Sequence, residues 1–305
     1  MRSVLRPRLP LLFLALVLGA VFLQHAGAQP TVAPAASCLQ TQWPQEKSDL
    51  TPDPALVFGR LDNGLRYVLM ANGKPEQRVA MYLNVRSGSL HETEEQRGLA
   101  HFLEHMLFNG TTHYPPGTLV EYFQKLGMGF GGDTNAHTGF DETVYNMLLP
   151  TNDPHAVAEG FKVLADYARG ALLLETEVER ERGVILAEKR SRDSAATRVS
   201  KRQMQFDFAG SLVALREPIG TEAVLNAADS QLLRTYYDRW YRPENMIVVV
   251  VGDIAPEAVK PLLTTAFAPL QGQGPLGDCP NFGRVAEVGT DILVHNEAEL
   301  GYTGL

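Results

Sequence analysis

The segment Arg97–Thr111, RGLAHFLEHMLFNGT, constrains the chain more than any other. It is apolar almost throughout, yet it carries two histidines and a glutamate within five residues. On a helix of 3.6 residues per turn, with His101 at 0°, His105 falls at about 40° and Glu104 at about −60°. The three polar groups share one side, while Leu99, Phe102, Leu103 and Met106 cover the other. A helix apolar around most of its girth is a buried one. Polar groups on it need partners, and one metal ion with its water would satisfy all three. Two imidazoles at i and i+4 reach the same ion. Glu104 stands close enough to act on the water without ligating the ion.

A catalytic zinc site has three protein ligands and one open position, so a third ligand must come from elsewhere. VERERGVILAEKR offers two glutamates. On a wheel centred on Glu181, Glu188 lies about 20° away, and Val178, Val184 and Ile185 fall within about 60° of that line. Glu179, Arg180, Arg182, Lys189 and Arg190 point elsewhere. Glu181 and Glu188 therefore sit inside an apolar stripe, where a carboxylate requires a cation or strong donors.

The rest of the chain supplies the frame for these helices. Alternating runs on either side of Asp62-Asn63-Gly64 predict a hairpin, and RVAMYLNVRSGS predicts a third strand. A second helix is expected around Leu119 to Leu126, then a strand at DETVYNMLLP. From Asp153 to about Ala209 the pattern is mostly helical, with SQLLRTYYDRWY and APEAVKPLLTTAF as later helices. MIVVVVGD is a continuous apolar run and predicts a strand buried on both faces. Strands, then helices, then a strand and a helix imply one α+β domain at residues 55–268.

Residues 29–54, rich in Pro, Ala, Ser and Thr, are expected to be a linker, and residues 269–305 a linker or the start of a further half. Residues 1–28 carry three arginines, an apolar run of 13 residues and a small-residue site ending at Ala28. That order predicts a secretory signal peptide, hence a periplasmic or secreted protein with no stable membrane span after cleavage. In such a compartment Cys38 and Cys279 allow one disulfide, and the sequence leaves open whether they meet. The balance of 35 acidic against 27 basic residues, without a basic run, excludes a nucleic-acid footprint.

HFLEH is the inverted form of the HExxH zinc signature. With GGDTNAHTGFDETVY, ERERGVILAE and WYRPENMIVVVVGDI in order, the chain resembles the N-terminal half of an insulinase/pitrilysin-type zinc metallopeptidase, nearest the bacterial periplasmic branch. The resemblance runs from about Ala55 to Ala268. It implies a mixed, largely antiparallel sheet flanked by helices, as in the processing-peptidase-like metallohydrolase domain. It implies one Zn2+ per chain held by His101, His105 and Glu188, with Glu104 as general base. Glu181 becomes the acid that supports the site from behind a ligand. Asn135 and Ala136 match a segment on an edge strand beside the metal, where a peptide substrate would add as a further strand. The spacing from His105 to Glu188 exceeds that of the processing peptidases, which implies an insertion in the HYPPG to GGDTN region.

Members of this kind have a second, similar half that closes over the first, and these 305 residues do not include one. A second-half subunit or a homodimer is the implied partner. The alternative reading is a non-catalytic peptide-binding or processing-complex subunit, or a half that is inactive without a partner chain. His91, His113, His155 and His295 lack ligand-like neighbours and are expected at the surface.

Overall fold

Asp62-Asn63-Gly64 turns the chain between β1 (Val57–Arg60) and β2 (Arg66–Ala71), which pair antiparallel. Gly64 takes φ +89°, and a Cβ there would stand 2.8 Å from that of Glu244. Asn63 Nδ2 donates to the carbonyls of Phe267 and Leu270, tying the hairpin to a distant part of the chain. The computed structural model describes residues 42–129, 131–286 and 292–296, all within the compact unit Ala36–Leu305. The signal peptide expected at 1–28 and Cys38 lie outside the described residues. So do the parts of the expected linker and tail at 29–41, 287–291 and 297–305.

The fold is α+β. The remaining strands are β3 (Val79–Val85), β4 (Thr134–Thr138), β5 (Thr143–Leu149) and β6 (Met246–Gly252). They join the hairpin in one six-stranded sheet of order β1-β2-β6-β3-β5-β4. Only β2 and β6 run parallel; the other neighbours are antiparallel. Tyr67, Leu69, Leu83, Met81, Tyr145, Met147, Val248 and Val250 are in register across the strands and buried, so one face of the sheet forms the core. The expectation that β6 is buried on both faces needs correction. Met246, Val248 and Val250 are buried, but Ile247, Val249 and Val251 are only half-buried. The apolar run reflects strand propensity rather than double coverage.

The helices are α1 (Leu99–Met106), α2 (Thr118–Lys125), α3 (Pro154–Arg169), α4 (Glu175–Ser191), α5 (Ala195–Asp207), α6 (Glu222–Ala227), α7 (Ser230–Trp240) and α8 (Pro256–Phe267). Asp153 caps α3 by accepting from the N–H groups of His155 and Ala156, with Pro154 in the first turn. Further along α3, Gly160 lies so close to β3 that a Cβ there would stand 2.8 Å from Met81 Sδ. Helix α2 occupies the region where an insertion is expected.

Within the expected linker, Pro44–Lys47 form a 3-10 turn, and Trp43 packs edge-on against Phe58 of β1 at 5.1 Å. Past α8, Cys279 is disulfide-bonded. No described helix is long and apolar enough to cross a membrane.

One surface expectation also changes. His91 is half-buried against the ring of Trp240 at 4.8 Å, and desolvation pushes its imidazole down to about 4. His113 is exposed, yet its Nδ1 lies 2.7 Å from the buried Asp166. His155 and His295 are exposed.

Candidate metal centre

Helix α1 has no side-chain cap of its own, because Gly98 precedes it at φ +105°. Its first N–H groups are met from outside by Glu92, whose carboxylate accepts from Gly98 at 3.0 Å and Ala100 at 2.8 Å. A carboxylate there satisfies orphan donors and complements the helix dipole. Burial nevertheless dominates and pushes Glu92 up to about 8. Leu99, Phe102, Leu103 and Met106 are fully buried in the core. That anchorage turns His101, Glu104 and His105 toward α4 and β4, into a cleft of about 850 Å³.

In this cleft His101, His105 and Glu188 come together. The two Nε2 atoms are 3.2 Å apart, and each lies 3.5 Å from Glu188 Oε2. Ligand atoms about 2.0–2.1 Å from a tetrahedral zinc stand about 3.3–3.4 Å from one another, so the three atoms match one face of such a tetrahedron. Glu188 Oε2 is buried and accepts no hydrogen bond, which is the condition of a carboxylate oxygen that calls for a cation. The donor set, two imidazoles and a carboxylate, is one that zinc takes in hydrolases. The residues present therefore fit the ion.

The protonation of these groups follows from their neighbours. His105 Nδ1 lies 2.8 Å from Glu181 Oε1, so the proton belongs on Nδ1 and Nε2 keeps its lone pair toward the cleft. Burial alone would depress His105. The hydrogen bond to Glu181, with the charges of Glu104, Glu181 and Glu188, raises it above the ordinary value instead. Burial, then the neighbouring His105 and Arg192, pushes His101 down to about 3, so its imidazole is neutral. Glu104 is 8% exposed, and desolvation raises its carboxyl above the usual range. A carboxyl poised upward is better matched to exchanging a proton near neutrality.

Asn135 and Ala136 lie on β4, which ends the sheet order and, among the described residues, pairs only with β5, leaving its outer edge open. Both residues line the cleft. His137 also borders it, but its nearest partner is Glu142 at 3.8 Å and it stands outside the metal group. One part of the helical-wheel expectation needs correction: Val178 and Ile185 are buried, whereas Val184 is 50% exposed and faces the cleft. The stripe on α4 turns from core to cleft along its length, and Glu188 sits at that border.

Three residues escape the sequence reading. Asn109 Nδ2 donates to Glu181 Oε2 at 2.8 Å, holding the acid that holds His105. Its position one turn past His105 is the available signal. Thr138 Oγ1 donates to Glu104 Oε2 at 2.6 Å, and Arg192 pairs with Glu188 Oε1. Arg192 is four residues from Glu188, a readable spacing, but Thr138 reaches Glu104 only through strand pairing.

A one-sided sheet with an inverted histidine–glutamate helix defines the class: the metal-bearing domain of a zinc-peptidase fold. The family model described as Insulinase (Peptidase family M16) matches residues 67–209, and the Peptidase M16 inactive domain matches residues 227–300. The probable zinc protease PqqL of Haemophilus influenzae is 38% identical over 216 residues, which is 71% of this chain and 23% of that one. The probable zinc protease PqqL of Escherichia coli is 40% identical over 205 residues, 67% of this chain and 22% of that one. The crystal structure of the periplasmic protease PqqL from Escherichia coli superposes with a TM-score of 0.74 at 36% identity, covering 78% of this chain and 26% of that one. The chain belongs to the insulinase family, peptidase family M16. It spans about a quarter of the length of these relatives.

Proposed function

We propose that the chain is the metal-bearing part of a zinc-dependent endopeptidase that hydrolyses peptides or small proteins in the periplasm. The observation that carries this reading is the convergence of His101 Nε2, His105 Nε2 and Glu188 Oε2 at 3.2–3.5 Å, beside an open strand edge. Zinc held there supplies Lewis acidity, making a water deprotonable near pH 7 and polarising the scissile carbonyl. Glu104 takes the proton from the attacking water and returns it to the leaving amine. Thr138, donating to Glu104 Oε2, fixes which oxygen is free to do so. Glu181 and Asn109 hold His105 in its ligand tautomer. Asn135 and Ala136 present backbone groups to an extended peptide, which adds to β4 as a further strand.

The periplasmic location is supported by the signal-like N-terminal sequence and by the likeness to the periplasmic protease PqqL of Escherichia coli. The substrate chamber is proposed to need a second, similar half, a reading supported by the likeness to the first half of the periplasmic protease PqqL from Escherichia coli. One observation favours a second reading, a subunit that binds peptide without cleaving it: residues 227–300 match the Peptidase M16 inactive domain. Cleavage of a mixed peptide library separates the two. Chelator-sensitive cleavage that falls by about 10²–10⁴ in Glu104→Gln supports the peptidase. Zinc binding with no cleavage, alone or with a second-half partner, supports the binding subunit.

A further inference from the structure

The face of the sheet opposite the core carries three arginines and, among the described residues, no acid paired with them. Arg66 is 3% exposed, and its Nε and Nη2 are buried without a hydrogen-bond partner. Arg60 stands opposite it in register on β1. Arg86 follows β3 two residues after Asn84, which shares the row of Arg66 through Ile247. Its Nη1 is also buried without a partner. Asp141 acts on Arg86 through space. Desolvation, then the like charges of Arg86 and Arg60, pulls Arg66 down to about 10, so it remains charged at neutral pH. Trp43 lies over the Arg66 guanidinium at 5.0 Å, which fixes the plane of the fork while leaving its N–H edge to donate.

Buried guanidinium donors without partners are costly, and adjacent like charges add to the cost. An anion between them removes both penalties at once. Carboxylate and phosphate oxygens match the guanidinium fork, accepting parallel N–H bonds. We infer that Arg66 and Arg86, with Arg60 at the rim, form a binding site for a small oxyanion on the sheet face opposite the core. A free phosphate and the carboxylate of an acidic peptide offer the same oxygens, and the experiment distinguishes them.

The test is thermal unfolding of the full chain at fixed ionic strength. Chloride is replaced stepwise by phosphate in one arm, and by an acetylated, amidated Glu-Glu dipeptide in the other. A specific site gives a saturable rise in Tm, because a ligand binding only the folded state stabilises by mass action. The rise should vanish in Arg66→Leu, and its midpoint should shift at least fivefold in Arg86→Gln, the milder change that decides the matter if the first does not fold. A response to phosphate alone assigns a free anion. A response to the dipeptide, with or without phosphate, assigns a carboxylate. No saturable rise in either arm overturns the inference, as does a rise that both variants keep unchanged.

Discussion

Asn109 donates to Glu181 Oε2, while Glu181 Oε1 faces His105 Nδ1, so one carboxylate is clamped from two sides. Groups that orient a metal ligand in this way typically contribute about 10–100-fold to metal affinity. Asn109→Ala is therefore expected to weaken zinc binding by about that factor in a chelator competition, and Asn109→Asp by more, since it sets a second negative charge against Glu181. An affinity unchanged in both would remove Asn109 from the site. Glu181 and Glu188 stand out on a helical wheel because acids inside an apolar stripe need a reason to be there, and Asn109 is readable from its i+4 spacing to His105. Thr138 is not, since no spacing within the chain brings it to Glu104. Arg66 is equally hidden: an arginine in a strand reads as solvent-facing until the sheet order and Trp43 are known.

Helix α1 owes its position to contacts outside itself. Gly98 and Gly220 pack backbone to backbone: a Cβ on Gly220 would stand 2.3 Å from Gly98 Cα, at φ +68°. Gly220→Ala is expected to destabilise the fold by about 2 kcal/mol or more, through both strain and displacement of the helix start. A Tm within a degree of the unmodified chain would contradict this. Glu92 makes the same junction sensitive to pH. Its folded-state value of about 8 lies above the ordinary carboxylate value, so the folded chain keeps a proton that the unfolded chain has lost. The stability it contributes is complete below about pH 4.5 and is lost as pH rises through about 8. His91 acts on the other limb. Its value of about 4 lies below the ordinary imidazole value, so its contribution is present above about pH 6.5 and lost as pH falls toward 4. Unfolding curves should show Glu92→Gln losing less Tm than the unmodified chain between pH 6 and 9. Parallel curves over that range would show that Glu92 does not titrate as argued.

At the scale of the whole molecule, element types are readable from period and turn chemistry, but the sheet order is not. β6 enters between β2 and β3, two strands that adjoin in sequence, and pairs parallel with one and antiparallel with the other. Nothing local in MIVVVVGD encodes that choice; it follows from long-range register and from which face the helices cover. The same architecture leaves the metal cleft open beside the β4 edge, as a site must be if an extended peptide is to reach it. Metal binding should also support the fold, because the three proposed ligands join α1 to α4. Saturating zinc is expected to raise Tm by several degrees and a chelator to reverse it; a Tm indifferent to both would contradict that link. The most direct test of the metal centre is zinc content after exhaustive dialysis, measured for the unmodified chain, Glu104→Gln and Glu188→Gln. One zinc per chain is predicted in the first two, and its loss in the third. Zinc absent from the first two, or undiminished in Glu188→Gln, would contradict the assignment.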